Sequence, residues 1–275
     1  MPKVQVGDAE LYYEIHGQGF PLVMINGLGS SVEMWSPFWR RLAERYRVLL
    51  FDNRGVGQSS VPEGPYSIRS MTEDARGLMD ALEIRSAFVY GASMGGMIAQ
   101  TLTLEHPTKV RALMLGMTTC GGPHSVLPGP ETMSRMMQVG NPPPGKTVAE
   151  VLWSLVYTPE FLTEHRSELT REAAAIRHPT TTQGYRLQAE AALKFNVYDR
   201  LPEIKVPTLV MAGSQDALMP PRNAEIIAGR IPGARLRIFE GAAHAFTRER
   251  EEDAVRTMLD FLSDVEAQSV GNRAR

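Results

Sequence analysis

The pentapeptide Gly91-Ala92-Ser93-Met94-Gly95 has the G-x-S-x-G spacing of a serine set on a very tight turn. Such a turn strains the backbone and brings neighbouring segments close. Positions two before and two after the serine must therefore be small. Gly91 and Gly95 meet that demand, and Gly96 adds clearance. The apolar run Ala87-Phe88-Val89-Tyr90 reads as a strand leading in, and Met94–Glu105 as a helix leading out. A serine presented this way is a candidate nucleophile. Its hydroxyl needs a base, and the base needs an orienting carboxylate.

Six histidines are available. His244 lies in the small-residue stretch Gly241-Ala242-Ala243-His244-Ala245-Phe246, just after the apolar run Leu236–Phe239. His106 ends the helix after the serine and reads as a C-terminal cap. His124, His165 and His178 fall in a helical region and read as exposed or locally bonded. For the acid, Asp216 follows the strand Thr208–Ala212, within Gly213-Ser214-Gln215-Asp216-Ala217-Leu218-Met219-Pro220. The alternative loop, Met117-Thr118-Thr119-Cys120 after the strand Val110–Leu115, carries no carboxylate. Asp216 is the choice.

These residues must be positioned by elements, and the chain supplies a regular series. Leu11–Ile15 reads as an outer antiparallel strand. Pro21–Ile25 and Val48–Phe51 are continuous apolar runs, as expected of strands buried on both faces. Helices are expected over Trp35–Tyr46, Ser70–Leu82, Pro221–Ala228 and Glu249–Val265, with a frayed tail after Gln268. Strands alternating with helices specify an α/β class with a mostly parallel central sheet and helices on both faces. From about Gly121 to Leu201 the rhythm stops. Only helical stretches remain there: Pro130–Val139, Val148–Tyr157, Pro159–Ile176 and Thr180–Asn196. We expect residues 123–200 to be a helical cap inserted in a core made of 1–122 and 201–275.

The chain has 275 residues and a net charge of −2, which argues against nucleic-acid binding. One cysteine, Cys120, excludes an internal disulfide and any multi-cysteine metal site. The first residues lack the apolar core of a signal peptide, and no apolar run is long enough to span a membrane. The expectation is a cytoplasmic protein with no membrane partner, no metal and no cofactor. Gly140-Asn141-Pro142-Pro143-Pro144-Gly145-Lys146-Thr147 matches the P-loop pattern by letter, but three prolines remove three of the amides that would cradle phosphate. The methionines Met133, Met136 and Met137 read as packing rather than as a metal or redox site.

The order Ser93, Asp216, His244, each after a separate strand, resembles the triad order of the α/β-hydrolase fold. The resemblance spans nearly the whole chain outside the cap. Asp52-Asn53-Arg54-Gly55-Val56-Gly57-Gln58-Ser59 is similar to that family's D-x-R-G-x-G-x-S turn, which implies structural roles for Asp52 and Arg54. It implies an oxyanion hole with one donor at the Met94 N–H, and a second in the loop after the strand ending at Ile25. Relatives often read His-Gly-x there; this chain reads Asn26-Gly27-Leu28-Gly29, pointing to the Leu28 N–H. His16-Gly17-Gln18-Gly19 mimics the pattern but precedes the strand and reads as a hairpin turn.

A serine nucleophile sets the chain apart from the Asp-based dehalogenases and epoxide hydrolases of this fold. The implied chemistry is carboxylic ester hydrolysis through an acyl-enzyme. The cap offers Leu127, Met133, Met137 and Trp153 as pocket lining for a small to medium apolar group. Other readings share the constellation: a 3-oxoadipate enol-lactonase, whose acidic substrate would want a cation such as Arg135, Arg166, Arg177 or Arg186; a C–C bond hydrolase, which Ala92 before the serine disfavours; a cofactor-free haloperoxidase or perhydrolase; and a non-enzymatic ligand receptor.

Overall fold

The computed structural model describes residues 2–139 and 142–273. Eight strands form one sheet in the order β1-β2-β4-β3-β5-β6-β7-β8. β1 (Lys3–Val6) and β2 (Ala9–His16) run antiparallel to their neighbours. β3 (Pro21–Ile25), β4 (Arg47–Phe51), β5 (Ala87–Ala92), β6 (Val110–Gly116), β7 (Thr208–Gly213) and β8 (Arg235–Phe239) are mutually parallel. Every residue of β5 and β7 is buried, which is why those segments carry no alternating polar face.

The helices divide between the two faces. α2 (Ile68–Ala81), α3 (Met94–Glu105) and α8 (Arg222–Arg230) press Met71, Leu78, Ile98, Leu102 and Ile227 onto one face. α1 (Phe38–Ala43) and α10 (Glu251–Arg273) cover the other with Phe38, Leu42, Val255, Met258 and Leu262. Each such side chain removed from water stabilises the fold by about 1.5–3 kcal/mol.

Beyond shifts of a few residues at element ends, the structure departs from the sequence reading in these places. The stretch Trp35–Tyr46 yields only the six residues of α1, because Pro37 cannot occupy a helix interior and forms its N-cap instead. The last helix divides into α9 (Phe246–Glu249) and α10 at Arg250, and α10 runs on to Arg273, past the expected fraying at Gln268. β1 was not foreseen; its half-exposed residues alternate over only four positions.

Between β6 and β7 the chain forms α4 (Pro130–Gln138), α5 (Val148–Val156), α6 (Pro159–Ala175) and α7 (Thr182–Leu193). This segment leaves and returns at one place. Gly121 bridges to Asn196, the Val197 N–H donates to the Cys120 carbonyl (2.9 Å), and the Gly122 N–H donates to that of Phe195 (3.0 Å). Gly140 and Asn141 of the P-loop-like stretch lie outside the described residues. Its Thr147 forms a reciprocal capping box with Glu150 at the head of α5. Among the described residues, no helix is long and apolar enough to cross a membrane.

Candidate active site

Ser93 sits between β5 and α3 with φ 55° and ψ −120°, a left-handed φ that costs a non-glycine residue of order 1–3 kcal/mol. The surroundings over-determine it. The Ser93 N–H donates to the Gly116 carbonyl (2.9 Å), while its own carbonyl accepts from the Gly96 N–H (2.9 Å) and the Thr118 hydroxyl (2.7 Å). The glycine requirement is steric and local. A Cβ at Gly95 would lie 2.0 Å from the Ile25 carbonyl oxygen, one at Gly91 2.3 Å from that of Gly95, and one at Gly96 2.6 Å from the Thr118 side chain.

Asp216 follows β7 and His244 follows β8, so both stand with Ser93 at the carboxyl edge of the parallel sheet. His244 Nδ1 and Asp216 Oδ2 are 2.8 Å apart, in a pair with under a tenth of either side chain exposed. The other Asp216 oxygen accepts the Leu218 N–H (3.0 Å) and the Met219 N–H (2.8 Å), which fixes the carboxylate's orientation. With Nδ1 donating to Asp216, the ring's Nε2 is left to act as acceptor. The small residues around them have the same logic as those around Ser93. A Cβ at Gly213 would lie 2.2 Å from the Ala243 carbonyl oxygen.

The remaining histidines are otherwise engaged. His16 bonds Glu14 (2.7 Å) and His106 caps α3 while bonding Glu73 (2.7 Å). His124 stacks on Tyr198, His165 on Phe161, and His178 contacts Glu33 (3.1 Å).

The loop after β3 comes close to the serine: a Cβ at Gly27 would be 3.2 Å from the Ser93 Cβ. Within this turn the Asn26 side chain accepts the Gly27 N–H (2.9 Å) and donates to the Ser31 carbonyl (3.0 Å). The Gly29 N–H goes to the Gln188 side chain (2.9 Å) and the Ser30 N–H to the Gly27 carbonyl (3.2 Å). Among the described residues the Leu28 N–H has no such partner. The Met94 N–H, first in α3, has no intrahelical carbonyl within reach. Among the described residues the Leu28 and Met94 amides are thus left without a hydrogen-bond partner, one in the loop that approaches Ser93 and one directly after it, and the N-terminus of α3 adds its positive end.

Neither Gln188 nor Glu249 was singled out in the sequence, yet both grip these loops. Glu249 accepts the N–H of Ala243, the residue before His244 (2.5 Å), and that of Thr158 at the head of α6 (2.7 Å). The four apolar residues expected in a pocket are not alike. Trp153 on α5 is half-buried, and Met133 on α4 is 38% exposed. Leu127 and Met137 are 71% and 77% exposed, so they stand in solvent rather than in an enclosed wall. Met137 lies on the outward side of α4, and Leu127 precedes that helix.

Residues 21–248 match the family model described as alpha/beta hydrolase fold. RutD of Azorhizobium caulinodans, whose name proposes carbamate hydrolysis, is 33% identical over 269 residues, 97% of this chain and 100% of its own. The crystal structure of the enol-lactonase from Burkholderia xenovorans LB400 has a TM-score of 0.83 at 30% identity, covering 95% of this chain and 100% of that one. The esterase EaEST from Exiguobacterium antarcticum gives a TM-score of 0.80 at 26% identity, over 95% and 98% of the two chains.

Proposed function

The chain belongs to the alpha/beta hydrolase family, and on that premise we propose that it is a serine hydrolase cleaving carboxylic esters with small to medium uncharged groups. The observation that carries this reading is the buried 2.8 Å pair of His244 and Asp216, on the same sheet edge as a serine held at positive φ.

Ser93 Oγ attacks the ester carbonyl carbon while His244 Nε2 takes its proton. The Leu28 and Met94 N–H groups bind the developing oxyanion. Collapse expels the alcohol, which His244 protonates, leaving an acyl-Ser93. Water then adds with His244 again as base, and the acid departs. Asp216 holds the imidazole in the required tautomer and stabilises its cation.

An uncharged substrate is favoured by the cap's arginines. Arg135, Arg166, Arg177 and Arg186 pair with Glu131, Glu150, Glu33 and Glu190 at the surface, each with 40% or more of its side chain exposed, so none of these four is a buried cation set to hold a substrate carboxylate. The likeness to an enol-lactonase favours lactones as a second reading, since ring opening uses the same attack at an acyl carbon.

Ser93→Ala is expected to remove hydrolysis of p-nitrophenyl esters almost completely and to leave the fold intact, as judged by circular dichroism. Loss of a triad member leaves only the residual catalysis of binding and the oxyanion hole. Retention of more than a few per cent of wild-type kcat would sink the assignment. Parallel assays on an enol-lactone and an aryl carbamate separate the acyl classes.

A further inference from the structure

The helix α7 reaches the loop that follows β3, and it does so on one residue. Gly29 donates its N–H to Gln188 Oε1 (2.9 Å) and accepts the Thr180 hydroxyl at its carbonyl (2.7 Å). Its φ is +68°, and a Cβ there would lie 2.7 Å from the Tyr185 ring. Both polar groups and the α-carbon of Gly29 are therefore held by residues 180–188. Gln188 is fully buried, and its Nε2 donates to the Arg54 carbonyl (2.8 Å). A flipped amide would set donor against donor at Gly29 and acceptor against acceptor at Arg54, so its orientation is fixed by its two neighbours. A second close approach registers the helix: a Cβ at Gly184 would meet the Gly55 carbonyl oxygen at 1.9 Å.

We infer that Gln188 is a positioning residue for the oxyanion hole, acting through the Leu28–Gly29 peptide. This rests on the serine-hydrolase reading above. In a trans peptide the C=O and N–H point in opposite directions. The Gly27 carbonyl accepts the Ser30 N–H, which turns the Leu28 N–H the other way. The following peptide plane is set by the bond from the Gly29 N–H to Gln188. Two consecutive planes are thus fixed, and the direction of the Leu28 N–H is fixed between them. Without Gln188 the second plane loses its one side-chain partner among the described residues, the part-buried Gly29 N–H being left without its acceptor, and the buried Arg54 carbonyl loses its donor. Rotation of that plane displaces the Leu28 α-carbon, to which the preceding plane and its Leu28 N–H are joined, so the donor shifts with it, and an oxyanion-hole donor is worth about 10²–10³ in kcat.

The test uses the full chain with p-nitrophenyl acetate as substrate and phenylboronic acid as probe. Ser93 Oγ adds to boron, its proton passes to His244, and the tetrahedral anion places an oxygen where the oxyanion forms. Gln188→Leu is expected to lower kcat at least tenfold with KM within threefold, and to raise the boronate Ki by a factor similar to the fall in kcat/KM. Ile84→Val, which removes a buried methyl at the opposite end of β5, should leave both constants at wild type. A milder second variant, Thr180→Val, should lower kcat two- to fivefold with unchanged KM, and it serves should Gln188→Leu fail to fold. Wild-type kcat and boronate Ki in the folded variants overturns the inference, as does an equal loss in Ile84→Val. A wild-type protein that neither turns over the ester nor binds the boronate overturns the hydrolase reading itself, a different result.

Discussion

At the scale of single residues, the turn after β4 shows how a sequence motif becomes a scaffold. Asp52 is 1% exposed, and its two oxygens accept the Val32 N–H (2.6 Å) and the Gln58 N–H (2.8 Å). Gly57 is required because a Cβ there would lie 2.2 Å from that carboxylate. Ser59 donates to the Asp52 carbonyl and accepts the Tyr12 N–H, and Arg54 forms a bidentate pair with buried Asp74. Burial pushes the Asp52 pKa up to about 6, against the pull of its two backbone donors. A carboxyl whose folded pKa is raised stabilises the fold below its unfolded value and loses that contribution as pH rises through about 6. From 3.8 to about 6 the difference is roughly 3 kcal/mol at 1.36 kcal/mol per unit. Asp52→Asn surrenders one acceptor at every pH, but it does not titrate. Its stability relative to wild type should therefore improve between about pH 4 and 7, as read from urea midpoints. Parallel stability curves across that range would show that Asp52 keeps an ordinary pKa.

Among elements, the contrast is between what local sterics specify and what only long-range contact creates. The serine turn was legible because the spacing of Gly91, Gly95 and Gly96 is local in sequence, even though the atoms that require them include Ile25 at the end of β3 and Thr118 after β6. The parallel strands were legible because burial on both faces leaves an unbroken apolar run. Gln188 and Glu249 were not. A glutamine inside a helix is an ordinary helix former, and its partners Gly29 and Arg54 lie 159 and 134 residues away. Glu249 likewise reads as a polar residue at a helix end, yet it ties the loop before His244 to the head of α6. Ala245 adds to that tie by donating its N–H to the Val156 carbonyl (2.8 Å), and Arg248 pairs with Glu168 and Glu172 of α6. Glu249→Ala leaves two N–H groups without acceptors, at about 1–3 kcal/mol each where buried. It is expected to lower both the melting temperature and kcat/KM, the latter about tenfold, because the backbone carrying His244 loosens. Glu249→Gln keeps one carbonyl oxygen and should fall between. An Ala variant with wild-type kcat/KM would show that the histidine loop holds itself.

For the whole molecule, these contacts redraw the division of labour between the parallel-sheet core and the helices inserted in it. A lid that merely selects substrates would touch the chemistry only through the ligand. Here α7 holds the loop carrying Leu28, and the junction of α5 and α6 holds the loop carrying His244. The inserted segment should therefore contain two kinds of position, distinguished by how a mutation acts across substrates. Trp153, half-buried on α5, makes no side-chain hydrogen bond to either loop among the described residues. Trp153→Ala is expected to reorder the preference among p-nitrophenyl acetate, butyrate and octanoate, since pocket contacts discriminate by only about 1–3 kcal/mol per methylene. Gln188→Leu should instead lower the rate on all three by a common factor, because the oxyanion is the same in each. Plotting the logarithm of kcat/KM against acyl length separates the two: a changed slope for Trp153→Ala and a parallel downward shift for Gln188→Leu. Should Trp153→Ala give a parallel shift as deep as that of Gln188→Leu, α5 would belong to the positioning scaffold as well, and acyl-length selection would have to lie elsewhere.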